Sequence, residues 1–367
     1  GSAAFAQMAE QELGTFYLTD FLLRHFDRLV IRGLGIDRHP QLLQEYFGHY
    51  RKLVYLAQAP QPEAYAQAQA AADRLGLQCT GFYRGYDGVL SNEHLPLTRF
   101  DVRNIIHRGG TFLQTARSDE FRTPEGRAKA AANLRALGIE GLVVVGGDGS
   151  FTGAKLLSEE HGIRVMGCPG TIDNDLFGTD YTIGYQTAVD TAVEAVDKIR
   201  DTAVSHNRLF FVEVMGRDAG FIALRTGIAS GAEGVLIPET TTDIDRLITY
   251  LRTDHQKKRR SGIVIVAEGD DSGGAYAVAK QVQAEFPDWD TKVTILGHTQ
   301  RGGKPNAFDR ILASRMGHAA VNALMAGRNR EMVGVQGHEV VYVPLEQAIK
   351  HHARISPYLL ELVDALS

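Results

Sequence analysis

Two short stretches combine residue types that could do chemistry. Residues 146–150 read Gly-Gly-Asp-Gly-Ser, and residues 171–175 read Thr-Ile-Asp-Asn-Asp. Glycines let a backbone turn sharply and approach a phosphate closely, and a helix opening beside them offers free N–H groups and the positive end of its dipole. A carboxylate at that point, Asp148, suits a metal-bound phosphate. Asp173 suits a base that takes a proton from an attacking hydroxyl. Each stretch also has a plainer reading. The first is then a tight turn capped by Asp148 or Ser150, and the second an Asx-rich turn. Their pairing favours chemistry.

The elements around them decide whether the two carboxylates can meet. Gly141–Val145 and Arg164–Cys168 are apolar runs that read as strands, and Gly153–His161 between them has helical composition. Strand, helix and strand in this length form a βαβ unit with parallel strands, so both loops open at one sheet edge. Adjacent strands lie about 5 Å apart, which places Asp148 and Asp173 on one small patch. The alternation extends along the chain. Leu53–Leu56, Cys79–Tyr83, Leu209–Val214, Gly234–Ile237, Gly262–Val266 and Lys292–Leu296 read as further strands. Pro124–Leu137, Tyr185–Val204, Asp243–Arg252, Ala275–Phe286 and Asn306–Ala326 read as helices. This pattern predicts two doubly wound, Rossmann-like α/β domains with parallel sheets and the site in the cleft between them.

Other loops supply cations and amides. Met215-Gly216-Arg217 follows a strand, and Arg217 suits a phosphoryl group. Glu268 ends another strand, placed for sugar hydroxyls. Gly297-His298-Thr299-Gln300-Arg301 suits a phosphate monoester. Arg108-Gly109-Gly110 and Thr115-Ala116-Arg117-Ser118 add cations and small residues, and Lys257-Lys258-Arg259-Arg260 is either a solvated helix end or an anionic-effector site. Two anion sites, a metal carboxylate and a base satisfy phosphoryl transfer to a sugar-phosphate hydroxyl.

Composition bounds the alternatives. The 367 residues are 23% charged and 44% hydrophobic, ordinary for a globular chain of two domains. The net charge of -5 argues against broad nucleic-acid binding. Cys79 and Cys168 read as buried thiols in a reducing, cytoplasmic setting. No run of 18 apolar residues occurs, so no membrane span is expected, the start lacks the pattern of a signal peptide, and Gly1-Ser2 reads as a cleavage scar.

From about Cys79 onward the chain resembles bacterial ATP-dependent 6-phosphofructokinase, through IIHRGGTFLQTAR, GIEGLVVVGGDGS, PGTIDNDLFGTDYTIGYQTA, DKIRDTA, VMGRDAG, IVAEG and LGHTQRGGKPNAFDR in order. The resemblance implies ATP as co-substrate, Mg²⁺, fructose 6-phosphate as acceptor in glycolysis, allosteric control and a homo-oligomer, dimer or tetramer. It implies that Asp173 is the base and Asp148 the Mg²⁺-associated carboxylate. Arg117 and Arg217 then stabilise the moving phosphoryl group, with Thr171 and Asp175 beside the reacting centre. Met215, Gly216, Glu268, His298 and Arg301 match the sugar-phosphate pocket. Arg208 and Lys292 match cations reaching that pocket from a neighbouring subunit, Lys292 standing where the family usually has arginine. Tyr86, Arg117, Ser118, Gly149, Ser150 and Gly153 match the nucleotide side, and Gly149 with Gly170 is the ATP-type rather than the pyrophosphate-type pair. Arg99, Arg200, Glu233 and Arg259 match parts of the effector site.

The chain departs from that family upstream. The strand Leu53–Leu56 and an Ala/Gln helix to Leu75 survive, but Pro60, Pro62 and Glu63 stand where the phosphate-binding glycines belong. Residues 3–78 are similar to the latter part of an uncharacterised prokaryotic α/β family, which implies a chimera, with Gly14–Arg24 and Gln41–Tyr50 as helices of an appended segment. The expected division is 1–51 appended; 52–184 plus about 301–350 nucleotide-binding; and 185–300 plus about 351–367 sugar-phosphate-binding. The rival to a working kinase is a catalytically impaired fold chimera.

Overall fold

The computed structural model describes residues 52–57, 71–72, 75–241, 243–256, 261–350 and 354–366. The expected helices Gly14–Arg24 and Gln41–Tyr50, the segment 1–51, the altered stretch around Pro60, Pro62 and Glu63, and the basic run 257–260 lie outside the described residues.

The strands are β1 (Lys52–Ala57), β2 (Gln78–Phe82), β3 (His94–Leu97), β4 (Ile139–Gly146), β5 (Arg164–Pro169), β6 (Arg208–Val214), β7 (Gly234–Leu236), β8 (Gly262–Ala267), β9 (Asp290–Ile295), β10 (Glu331–Gln336) and β11 (Glu339–Pro344). The helices are α1 (Tyr86–Ser91), α2 (Asp119–Arg122), α3 (Pro124–Ala136), α4 (Asp148–His161), α5 (Tyr185–His206), α6 (Phe221–Ser230), α7 (Ile244–Gln256), α8 (Ala275–Glu285), α9 (Ala307–Met325), α10 (Leu345–Lys350) and α11 (Pro357–Leu366).

Among the described residues the strands form two sheets, in the orders β11-β10-β5-β4-β1-β2-β3 and β7-β8-β6-β9. β4 and β5 are buried along nearly their whole length, as parallel strands covered on both faces must be. Their side chains divide cleanly. Val143, Val145, Met166 and Cys168 pack under α9, with Leu312 and Met316, while Leu142, Val144 and Val165 pack under α3 and α4, with Leu134 and Phe151. Both cysteines are buried and free, and burial pushes the Cys168 thiol up to about 12. The second sheet is parallel throughout and covered on both faces, with β8 buried from end to end. No helix of the described residues is long and apolar enough to cross a membrane.

Among the described residues the expected strands and helices form, and Leu53–Leu56 enters the first sheet as β1, parallel to β2 and β4, while the expected Ala/Gln helix to Leu75 lies largely outside them. The expected parallel pairing holds through the centre of the first sheet, and antiparallel strands are added at both edges. β3 pairs antiparallel with β2, and β10 turns into β11 through Gly337-His338, Gly337 standing at φ 57 as a two-residue hairpin requires. α4 also begins earlier than its composition suggests, at Asp148 itself.

One buried carboxylate joins the two halves. Asp309, on the first turn of α9, is fully buried. It accepts hydrogen bonds from the Gly184 and Thr187 N–H groups at 3.0 and 2.8 Å and from the Thr187 hydroxyl at 2.5 Å. A helix packed on the first sheet thereby caps the N-terminus of α5, which packs against the second. Burial pushes the Asp309 carboxyl up, and those three hydrogen bonds pull it back. Replacing Asp309 by alanine leaves one buried and one half-buried N–H group without this acceptor, so Asp309→Ala is expected to lower stability by about 2–4 kcal/mol in urea unfolding; a loss below about 0.5 kcal/mol would show that the carboxylate does not hold this junction.

Candidate functional site

β4 and β5 are adjacent and in register, with Gly146 opposite Pro169. The two loops leaving them therefore start side by side, and the Gly170 N–H donates to the Gly146 carbonyl at 2.9 Å. A Cβ placed on Gly147 would lie 3.5 Å from the Thr171 side chain, so the loops touch. β1 and β4 also mark the point where strand order reverses in the first sheet, where doubly wound folds bind ligands.

On the first loop, Gly147 caps α4 without any side-chain hydrogen bond, leaving the helix N–H groups open to an anion. Asp148 is the first helical residue, and a Cβ on Gly149 would meet no atom within 4 Å. Ser150 is buried, and its carbonyl accepts the Tyr86 hydroxyl at 2.7 Å. The Tyr86 ring stacks on Phe121 at 3.8 Å between centroids, and both rings press on Gly153, whose added Cβ would lie 3.0 Å from each. Burial raises the Tyr86 phenol above its ordinary range. Tyr86 is thus a floor of this region, with its hydroxyl already engaged. Arg117 is exposed just ahead of α2, and Ser118 caps that helix, its hydroxyl accepting from the Phe121 N–H at 3.4 Å.

The second loop holds Asp173, only 7% exposed. Its N–H donates to the Thr171 hydroxyl at 3.2 Å. Asn174 follows in the left-handed region, at φ 54, and its side chain staples the loop. Its amide oxygen accepts the Thr182 N–H at 2.7 Å, and its NH₂ donates to the Asp180 carbonyl at 3.2 Å. The Thr182 hydroxyl donates to the Thr171 carbonyl at 2.7 Å.

Asp173 is the electrostatic centre. Burial pushes its carboxyl above the usual range, the neighbouring Asp175 pushes it further, the guanidiniums of Arg217 and Arg301 pull it back, and Glu268 adds a small upward push. The chain thereby brings together four segments that the sequence scatters.

Two of those segments are fastened to each other. Arg217 sits in the left-handed region at φ 54, and Gly216 at φ 152, where a Cβ would fall 2.2 Å from the Ala219 carbonyl oxygen. Glu268 Oε1 accepts the Gly216 and Arg217 N–H groups at 3.3 and 2.7 Å. Its expected place facing sugar hydroxyls is therefore shared with a structural duty. Met215 is held similarly, its N–H donating at 2.9 Å to Gln300, a buried residue on the 3₁₀ turn Gly297–Arg301 that also presents His298 and Arg301. Arg108-Gly109-Gly110 approaches this turn closely, a Cβ on Gly109 falling 1.9 Å from the Gly303 carbonyl oxygen.

Other expected residues stand apart. Arg208 and Lys292 flank Asp290 at 2.6 and 2.5 Å at the edge strand β9, and these two cations hold the Asp290 carboxyl below its usual range, Lys292 first. Arg200 donates to the carbonyls of Ser230 and Gly231 and lies 3.6 Å from Glu233, whose carboxylate accepts the Ile263 N–H. Arg99 is exposed and joins neither among the described residues, and Arg259 lies outside them. Sequence reasoning read Asn174 as an amide in a turn and Gln300 as an amide of a phosphate-binding group, and gave no role to Asp309 or Phe121. Gln300 and Asp309 act on backbone groups distant in sequence, Asn174 on groups six and eight residues on, and Phe121 stands three residues after Ser118.

A glycine-cradled helix start, a shielded carboxylate and converging guanidiniums on a doubly wound frame define a phosphoryl-transfer class of protein. The family model "Phosphofructokinase" matches residues 63–324, and the chain belongs to that family. The model "Protein of unknown function (DUF1638)" matches residues 1–87. The chain is 52% identical over 292 residues to ATP-dependent 6-phosphofructokinase 2 of Bacteroides thetaiotaomicron, covering 80% of this chain and 90% of the relative. It is 54% identical over 296 residues to ATP-dependent 6-phosphofructokinase 1 of Thermus thermophilus, covering 81% and 92%. The phosphofructokinase structure from Saccharomyces cerevisiae superposes with a TM-score of 0.77 at 37% identity, over 82% of this chain and 45% of that one. A pyrophosphate-dependent phosphofructokinase from Marinobacter aquaeolei, at 20% identity and a TM-score of 0.73 over 86% and 91%, shares the fold.

The Glu268 fastening is testable on stability alone. Glu268→Ala frees the Gly216 and Arg217 N–H groups and is expected to cost about 1 kcal/mol in denaturant unfolding, while Glu268→Gln keeps the acceptor and costs less. Equal losses for both would mean that charge rather than the hydrogen bonds fastens the loop.

Proposed function

We propose that this chain transfers the terminal phosphoryl group of ATP to the 1-hydroxyl of fructose 6-phosphate, the glycolytic step named for its relatives. The carrying observation is Asp173: a shielded carboxylate influenced by Arg217 and Arg301, on a loop touching the open helix start at Gly147–Gly149. Asp173 takes the proton of the 1-hydroxyl as that oxygen bonds to phosphorus and the bond to the ADP oxygen breaks. Arg117 and Arg217 neutralise charge on the moving group, and Thr171 and Asp175 hold its surroundings. Met215, Gly216, Glu268, His298 and Arg301 receive the sugar phosphate, with Arg208 and Lys292 acting across a subunit boundary in a homo-oligomer. Tyr86, Ser118, Gly149, Ser150 and Gly153 form the nucleotide side. Arg99, Arg200, Glu233 and Arg259 form an effector site, the nucleotide and sugar sites divide between the domains bounded near residue 185, and the enzyme works in the cytoplasm.

Mg²⁺ fits this donor set. It keeps several waters and binds through one or two carboxylates plus substrate phosphates. Asp148 offers one such carboxylate at the phosphate-binding turn, and no cluster of three or more ligating side chains occurs among the described residues. Asp148 and the nucleotide would hold the ion, which would supply charge neutralisation at the phosphates.

A second reading has its own support, the separate family match over residues 1–87. On it the chain is a chimera in which a foreign βα unit replaces the first phosphate-binding loop. Loss of several charge-assisted N–H contacts, each worth roughly 1.5–3 kcal/mol, then impairs turnover severely.

A coupled assay with ATP, Mg²⁺ and fructose 6-phosphate separates them. The first reading expects turnover that Asp173→Ser lowers by roughly 10²–10⁴-fold. Turnover unchanged by that substitution would sink the assignment of the base, and bound fructose 6-phosphate without turnover would favour the chimera. The pH profile adds a signed test. Asp173 must be ionised to act, and burial raises it, so kcat/KM falls on the acid side above the range of an ordinary aspartate. Asp175→Asn removes a like charge and is expected to move that limb to lower pH; an upward move contradicts the account.

A further inference from the structure

Behind the loop that carries Asp173 lies a cavity of about 420 Å³, lined by none of the residues assigned to the reaction. Its walls come from the 174–181 loop and Tyr185, from α6, and from the approach to α11. We propose that this cavity is a second binding site, for a small anion with a flat apolar body, and that its occupancy acts on the Asp173 loop through Asn174.

The volume falls in the range of small-molecule sites. Tyr181, Tyr185 and Phe221 line it with aromatic surface that suits a flat body. Arg225, half-buried, holds its guanidinium 5.8 Å from the centre of the Tyr181 ring, and Arg354 joins it from the approach to α11. Asp180 is the one acid among the described lining residues, and its carboxylate already accepts the Gly337 N–H at 2.6 Å. Arg225 also hydrogen-bonds the Tyr185 side chain, which leaves part of its guanidinium for a ligand; two guanidiniums against one engaged carboxylate favour an anion, and a guanidinium fork binds phosphate or carboxylate bidentately.

The coupling has a physical route. Asn174 lines the cavity and is the residue whose amide fastens the loop to Asp180 and Thr182. A ligand seated against Tyr181 and Asn174 therefore restrains the segment that presents Asp173, one residue away.

Phenyl phosphate is a suitable probe, titrated by calorimetry into the full chain with and without fructose 6-phosphate. The expected result is one saturable site that persists with fructose 6-phosphate present. Binding should weaken about tenfold in Arg354→Ala and in Arg225→Ala, as loss of a charge-assisted bond implies, and stay unchanged in Arg301→Ala. Arg354 is exposed, so its variant does not put the fold at risk. Inorganic phosphate should bind more weakly, because it lacks the ring. Absence of saturable binding overturns the site, and so does binding lost in Arg301→Ala but kept in Arg354→Ala. Hydrogen exchange reads the coupling without any turnover, which keeps the result independent of the kinase reading. The Thr182 amide, which donates to Asn174, is expected to exchange more slowly with phenyl phosphate bound, and unchanged exchange overturns the link.

Discussion

The parallel register of β4 and β5 is the constraint on which everything else rests. With Gly146 opposite Pro169, the two loops leave the sheet at the same height, and the Gly170 N–H closes onto Gly146 before either chain diverges. Slipping that register by one residue would send the alternating Val143/Val145 and Leu142/Val144 pairs to the wrong faces. It would also separate Thr171 from Gly147. The packing of α9 on one face and of α3 and α4 on the other therefore fixes the site as well as the core.

Onto that fixed edge the second sheet delivers its cations by backbone fastening. Arg217 stands in a conformation that a residue with a Cβ rarely adopts, and Glu268 and Gln300 accept the N–H groups that hold the turn there. The side chains meeting at Asp173 thus depend on acceptors from two other loops. Burial alone would leave Asp173 protonated too readily, and the two guanidiniums counter it without cancelling it. A carboxylate held in that balance is basic enough to accept a proton and shielded from water, the compromise that general-base work requires.

Much of this was legible in residue order. Gly-Gly-Asp-Gly-Ser and Thr-Ile-Asp-Asn-Asp each sit directly after an apolar run, so residue type and position agree. The fastenings were not legible, because their partners are remote: Gln300 lies 85 residues from Met215, and Asp309 lies 125 from Gly184. Asn174 was visible as an amide in a turn, but its partners follow from a left-handed backbone that composition does not reveal. The antiparallel edges escaped for local reasons. Pro96 lies within β3, as an edge strand tolerates, and Gly334 lies within β10 where the chain passes the Gly178 carbonyl closely, and both residue types read against a strand.

Gly149 and Gly153 lie one helical turn apart on α4 and face opposite circumstances. Any side chain at 153 must displace two stacked rings, whereas one at 149 enters empty space. Position 149, proposed for the nucleotide side, is therefore decoupled from the packing of the protein. A side chain can appear at 149 without the fold first being repaired, whereas its partner glycine at 170 is tied to Gly146, so the two positions are free to change in evolution at different rates.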